Sequence, residues 1–126
     1  MYRKLQKIEG YTRKQIVSYM RLRLRYDWNW TSQALLRLYE FQTLSEKTSG
    51  VSVEQNGMGF SGFDAPFLSH VVCRLRCHAN FAPEMKDKIQ RKVRRYAEQV
   101  VEISDMDKLK VALDRYYNVD ENIEEE

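Results

Sequence analysis

The chain has 126 residues and a net charge of +3, with 43% apolar and 31% charged residues. That length fits one domain with a modest core, and ordinary apolar content with abundant charge marks a globular class rather than a fibrous one. No apolar run reaches the ~18 residues of a membrane span, the opening MYRKLQKIEGYTRKQ lacks a secretory h-region, and two cysteines form no disulfide framework, so a cytoplasmic protein with reduced thiols and no membrane attachment is expected.

The charge is uneven. Residues 1–42 hold nine Lys/Arg against three Asp/Glu. The last eight, VDENIEEE, carry five acids and no base, so the rest of the chain stands at +8. A basic body suits a polyanionic partner, and an acidic tail can shield such a surface. Solubility alone is the competing explanation of the excess.

In chain order, Thr12 and Gln15 form a capping-box start. A helix to about residue 26 follows, burying Ile16, Val17, Met20 and Leu24. Asp27-Trp28-Asn29-Trp30 interrupts the period. Thr31 or Ser32 then caps a second helix to about residue 45, with Ala34, Leu35, Leu38, Phe41 and Leu44 inward. The segment 46–63 has no helical period and carries four of the five glycines. Val51 and Val53 before Asn56-Gly57 suit a short hairpin. Asp64 reads as an N-cap with Pro66 in the first turn. The third helix runs to about residue 78 and buries Phe67, Leu68, Val71, Val72 and Leu75. A long fourth helix runs from Pro83 to about residue 103 over Met85, Ile89, Val93, Tyr96, Val100 and Ile103. Ser104 with Asp107 opens a fifth, with Met106, Leu109, Leu113, Tyr116 and Tyr117 inward. The expected architecture is all-α: one domain over 1–118, four to five helices around one core, a long Gly-rich loop at 46–63, and an acidic disordered tail over 119–126.

Gly57, Gly59 and Gly62 spell G-x-G-x-x-G. As a phosphate cradle that motif needs a strand before it and a βαβ unit around it. Here the preceding strand is at most VSV, Asp64 puts a carboxylate where the anion would rest, and no Lys-Ser/Thr of a P-loop follows. The glycines read better as a sharp turn into the third helix, with Phe60 and Phe63 pinning the loop to the core. No cofactor is expected. A loop this long in a small domain is often functional, so Asn56, Gly57, Gly59, Phe60, Gly62 and Phe63 are candidate contacts for a partner.

Three blocks resemble a family found in phages, prophages and plasmids. They are ALLRLYEFQT (34–43) followed by Glu46, NGMGFSGFDAPFL (56–68), and Arg95-Tyr96-Ala97-x-Gln99; the start at Thr12-Arg13-x-Gln15-Ile16 also fits. The match spans roughly residues 12–101. The middle block is the most specific. Similar segments occur inside larger mobile-element proteins of helicase type. The resemblance implies a mobile-element setting near nucleic-acid metabolism and transfers no catalytic residue. The chain departs from the pattern at Ala82, where Ser or Thr is usual before the proline, at Arg95, where Lys is common, and in HVVCRLRCH.

His70, Cys73 and Cys77 share one helical face but span i to i+7, ~10 Å, too far for one tetrahedral ion. The cysteines read as small hydrophobes against a neighbouring helix, and no metal is expected. No nucleophile–base pair or carboxylate dyad is legible, so an enzyme is not expected. Two basic stripes are. Lys14, Arg21 and Arg25 line one face of the first helix, with Ser18 between them. Lys88, Arg91, Lys92 and Arg95 line the fourth, flanked by Glu84, Asp87, Glu98 and Glu102, which also suit a solvated face of charge pairs. Such rows neutralise phosphates, and Tyr19, Tyr26, Trp28 or Trp30 nearby would stack on unpaired bases. Two functions fit: a non-enzymatic accessory protein that binds DNA or RNA, or a nucleic-acid-processing complex, through these faces; or a protein-binding inhibitor of a host defence system, anti-CRISPR-like, that contacts a host nuclease complex.

Overall fold

The computed structural model describes the backbone over residues 8–49 and 59–125 and the side chains over 8–42 and 59–118. The expected hairpin at 51–57, Asn56, Gly57 and the side chain of Leu44 lie outside the described residues.

The fold is all-α: α1 (Arg13–Tyr26), α2 (Trp28–Ser49), α3 (Ala65–Arg76), α4 (Pro83–Val93), a 3-10 turn (Arg94–Tyr96), α5 (Ala97–Ile103) and α6 (Met106–Glu125). Since α4, the turn and α5 form one interrupted rod, the described residues make five rods. The central element is α1, packed on α2, α4, the 3-10 turn and α5; α2 also packs on α3, α4 and α5. The core includes Ile16, Met20, Leu24, Leu35, Leu38, Leu68, Val72, Ile89, Val93, Val101 and Leu113. Fully burying each such side chain contributes roughly 1.5–3 kcal/mol before entropy is counted.

Local chemistry sets the boundaries. The capping box is present: Gln15 N–H donates to Thr12 Oγ1 at 3.1 Å and Thr12 N–H to Gln15 Oε1 at 2.9 Å. Asp27 ends α1 and starts α2. Its N–H donates to Arg23 O, and its Oδ1 accepts from the N–H groups of Asn29 and Trp30. The second helix therefore starts at Trp28, three residues before the expected cap. Thr31 is buried instead. Its hydroxyl lies 2.9 Å from Leu24 O and accepts from Gln90 Nε2 at 3.2 Å, a buried polar link between α1, α2 and α4. Asp105, not Ser104, opens α6, accepting from the N–H groups of Asp107 and Lys108. The helix continues to Glu125, through most of the acidic segment whose composition suggests disorder.

Several inward assignments shift. Phe41, Tyr116 and Tyr117 are partly exposed, at 37–46%, and Phe67 is only half-buried. Tyr19 is buried, with Trp30 and Tyr116 rings 5.8 and 5.0 Å from its own. Trp28 packs against Phe81. Of the four aromatics expected as stacking surfaces, only Tyr26 is freely exposed.

Candidate nucleic-acid interface

Two ion pairs set the register of α1 against the α4–α5 rod: Arg13 with Glu102 at 3.4 Å and Arg25 with Asp87 at 2.8 Å. The elements run antiparallel, so Arg21 lies level with residues 91–95. Asp87 is shared, because Arg91 reaches its other oxygen at 2.9 Å. The two basic stripes thus meet at one carboxylate and form one surface. Arg25 is correspondingly not a free phosphate ligand; its side chain is only 19% exposed. Arg21 and Arg95 are exposed and make no ion pair among the described residues. Lys14 is exposed as well but sits eleven residues before Arg25, ~16 Å along the axis.

Arg94, three residues after Arg91 and so its neighbour on the helix face, was not among the residues expected on these stripes; in the 3-10 turn both Arg94 and Arg95 are exposed while Tyr96 is buried. The surface therefore holds Arg21, Arg25, Lys88, Arg91, Lys92, Arg94 and Arg95. Only Asp87 and Asp64 form ion pairs with them among the described residues.

The flank of this surface is the end of the glycine loop, which side chains from distant segments hold by its backbone. Gly59 N–H donates to Gln99 Oε1 at 2.7 Å, Phe60 N–H to Gln42 Oε1 at 3.0 Å, and Ser61 N–H to the Tyr96 hydroxyl at 3.1 Å. Phe60 is 1% exposed, its ring edge-on to Tyr96. These partners come from the three blocks that carry the resemblance: Gln42 from the first, Gly59 to Asp64 from the second, Tyr96 and Gln99 from the third. Their convergence accounts for these residues by packing and hydrogen bonding.

Asp64 departs from its expected role. It occupies the cap position of α3, yet its side chain makes no cap bond and its backbone is helical. The carboxylate is 6% exposed; it accepts from the Tyr96 hydroxyl at 2.7 Å and pairs with Lys92 Nζ at 3.4 Å. A buried carboxylate needs such donors, and they outcompete the cap. Burial raises the Tyr96 pKa above the usual 10.0; the contacts with Ser61 lower it and the bond to Asp64 raises it again.

Phe63 was expected to pin the loop to the core. Phe60 does so, whereas Phe63 stands 87% exposed. Lys92 Nζ lies 5.5 Å from its ring centroid, and Lys88 and Lys92 lie 4.9 and 5.9 Å from that of Phe67. The loop end therefore presents an aromatic pair beside lysines at the edge of the basic surface. Gly59 takes φ +91°, which explains a glycine there.

Other candidates are separate from this face. Cys73 and Cys77 are exposed rather than packed against a neighbour, and among the described residues no three His, Cys, Asp or Glu side chains gather as a metal site would require. A cleft of about 330 Å³ lies between α2 and the α5–α6 junction, lined by Trp30, Gln33, Arg37, Ser104 and Lys108 over Met20 and Leu109. Arg37 is committed to Ile103 O at 2.8 Å. No described helix is long and apolar enough to cross a membrane. Comparison with protein-family models, curated proteins and solved structures finds no match for the chain.

Proposed function

We propose that this chain is a non-enzymatic accessory protein of a phage or mobile element that binds nucleic acid, in the cytoplasm of a bacterial host, through the surface built by α1, α4 and the 3-10 turn. The observation that carries the reading is the bridge Arg25–Asp87–Arg91, which joins two separate stripes into one basic face. Phosphates meeting exposed guanidinium and ammonium groups release condensed counterions, which gives salt-dependent and sequence-tolerant binding. The phage setting comes from the resemblance alone.

Mobility-shift titrations with DNA and RNA at several salt concentrations test it. Arg21→Glu with Arg95→Glu changes two exposed residues without ion-pair partners among the described ones. Two lost phosphate contacts lower the salt slope by about 1.4 to 1.8. Deleting 119–126 removes five acids and strengthens binding. Arg25→Glu is a poor probe, because it sets a second carboxylate beside Asp87; it should lower stability where Arg21→Glu does not. Wild-type protein that binds no nucleic acid at low salt, with or without residues 119–126, refutes the proposal.

A second reading, contact with a host nuclease complex, is favoured by Leu22 and Tyr26, 38% and 73% exposed on α1 beside Arg21 and Arg25. Cations mixed with exposed apolar groups suit an acidic protein surface. Affinity purification from the host distinguishes the two.

A further inference from the structure

We infer that Phe63 is a stacking platform for an unpaired base, so that the basic face selects single-stranded over duplex nucleic acid. This rests on the nucleic-acid reading above and adds the substrate's strandedness. The position of the ring is the first ground. A phenylalanine 87% exposed forgoes the burial that would stabilise it, and among the described residues the ring's contact is with Lys92.

Preorganisation is the second ground. Phe63 stands between two fixed points: Ser61, bonded to the Tyr96 hydroxyl, and Asp64, buried and bonded to Tyr96 and Lys92. Phe60, directly before Ser61, is locked in the core. The ring is thus presented by a tethered backbone, which lowers the entropy lost on binding.

Charge placement is the third. Lys92 Nζ lies near the Phe63 ring and Lys88 near Phe67. Lys92 occupies one side of the Phe63 ring, and the exposure leaves the other side open. A base stacked there would put its phosphates within reach of lysines on α4, the pairing of aromatic platform and basic track that single-strand binders use. A duplex hides its base faces, so the ring could reach them only by wedging between steps, at the cost of unstacking. Phenylalanine has no donor or acceptor, so the platform reads the π-face and not the sequence.

The test compares a dT oligonucleotide with a mixed-sequence duplex of the same length, by anisotropy, for wild type, Phe63→Ala and Phe63→Trp. The ring is exposed, so neither variant should unfold; circular dichroism checks this. Expected are tighter binding of dT than duplex by wild type, a loss of about 5- to 150-fold for dT in Phe63→Ala, an unchanged duplex affinity and salt slope, and dT-dependent quenching in Phe63→Trp beyond the wild-type background of Trp28 and Trp30. Equal affinity for the two ligands, or a Phe63→Ala variant that binds dT like wild type, overturns the inference and leaves the phosphate-binding reading standing. Binding of neither ligand by wild type overturns both. Loss of a host protein partner in Phe63→Ala, with dT binding intact, assigns the ring to a protein interface and overturns the inference.

Discussion

Tyr96→Phe removes one oxygen and should cost far more than a surface hydroxyl would. That oxygen accepts from Ser61 N–H at 3.1 Å and donates to Asp64 Oδ2 at 2.7 Å. Ser61 is exposed, so water can replace its partner, and this bond contributes at the low end of ~0.5–1.5 kcal/mol. Asp64 is 5% exposed, and losing a donor to a buried carboxylate costs about 1.5–3 kcal/mol. The total is about 2–4 kcal/mol. At about 2.1 cal/mol/K per residue over 126 residues, each kcal/mol moves Tm by about 4 °C, so Tm should fall by about 8–16 °C. Thermal and urea unfolding followed by circular dichroism read this. Asp64→Asn separates the charge from the hydroxyl. If the two side chains act together, Tyr96→Phe with Asp64→Asn should be less damaging than the sum of the singles by more than ~0.5 kcal/mol. A Tyr96→Phe shift below about 3 °C, or additive singles, would refute the clamp.

Two further predictions concern stability. Tyr11 donates to Asp114, and that bond is the first cause raising its pKa from 10.0 to about 12. The proton is held more tightly in the folded chain, so this contribution is complete below pH 10 and is lost as pH rises from about 10 through about 12. Tyr96, raised mainly by burial, acts in the same direction. The urea midpoint should fall over that window and fall less in Tyr11→Phe; equal slopes in the two proteins would count against the bond. Asp114, lowered from 3.8 first by the Tyr11 bond, contributes above that value and loses its contribution as pH drops below it. Gly59→Ala forces a side chain into φ +91° and should cost about 1–3 kcal/mol, so an unchanged urea midpoint would show that the loop end is not held as described.

The helices were legible in the sequence because their periods are plain: Ile16, Val17, Met20 and Leu24 on α1, and Ile89 and Val93 on α4, are all buried. The first cap was legible because its bonds are local. The roles of Asp64, Gln42 and Gln99 were not, since each depends on a partner 18 to 40 residues away. Asp64 shows the difficulty well: sequence position makes it a cap, and tertiary structure gives its carboxylate better donors. The start of α2 at Trp28 had a readable signal in Asp27, a good N-cap residue, which the tryptophans obscured. The basic stripes were legible by periodicity, but their junction depends on Asp87 lying across from Arg25, which only the helix register reveals. Phe60 and Phe63 look equivalent in sequence; the fold buries one and exposes the other.

The 3-10 turn at 94–96 fixes the gearing between the two ends of the α4–α5 rod. Three residues advancing 120° each rather than 100° shift the phase by about 60°. Upstream, Lys92 meets Asp64; downstream, Gln99 meets Gly59 and Glu102 meets Arg13. A one-residue insertion here would swing every downstream side chain by about 100°, freeing the loop while leaving α4 seated on α1. The spacing at this turn is therefore constrained by the packing, whereas the identities of its two exposed arginines are not. Residues 94 and 95 can be substituted without disturbing the fold, but their number cannot change without losing the loop.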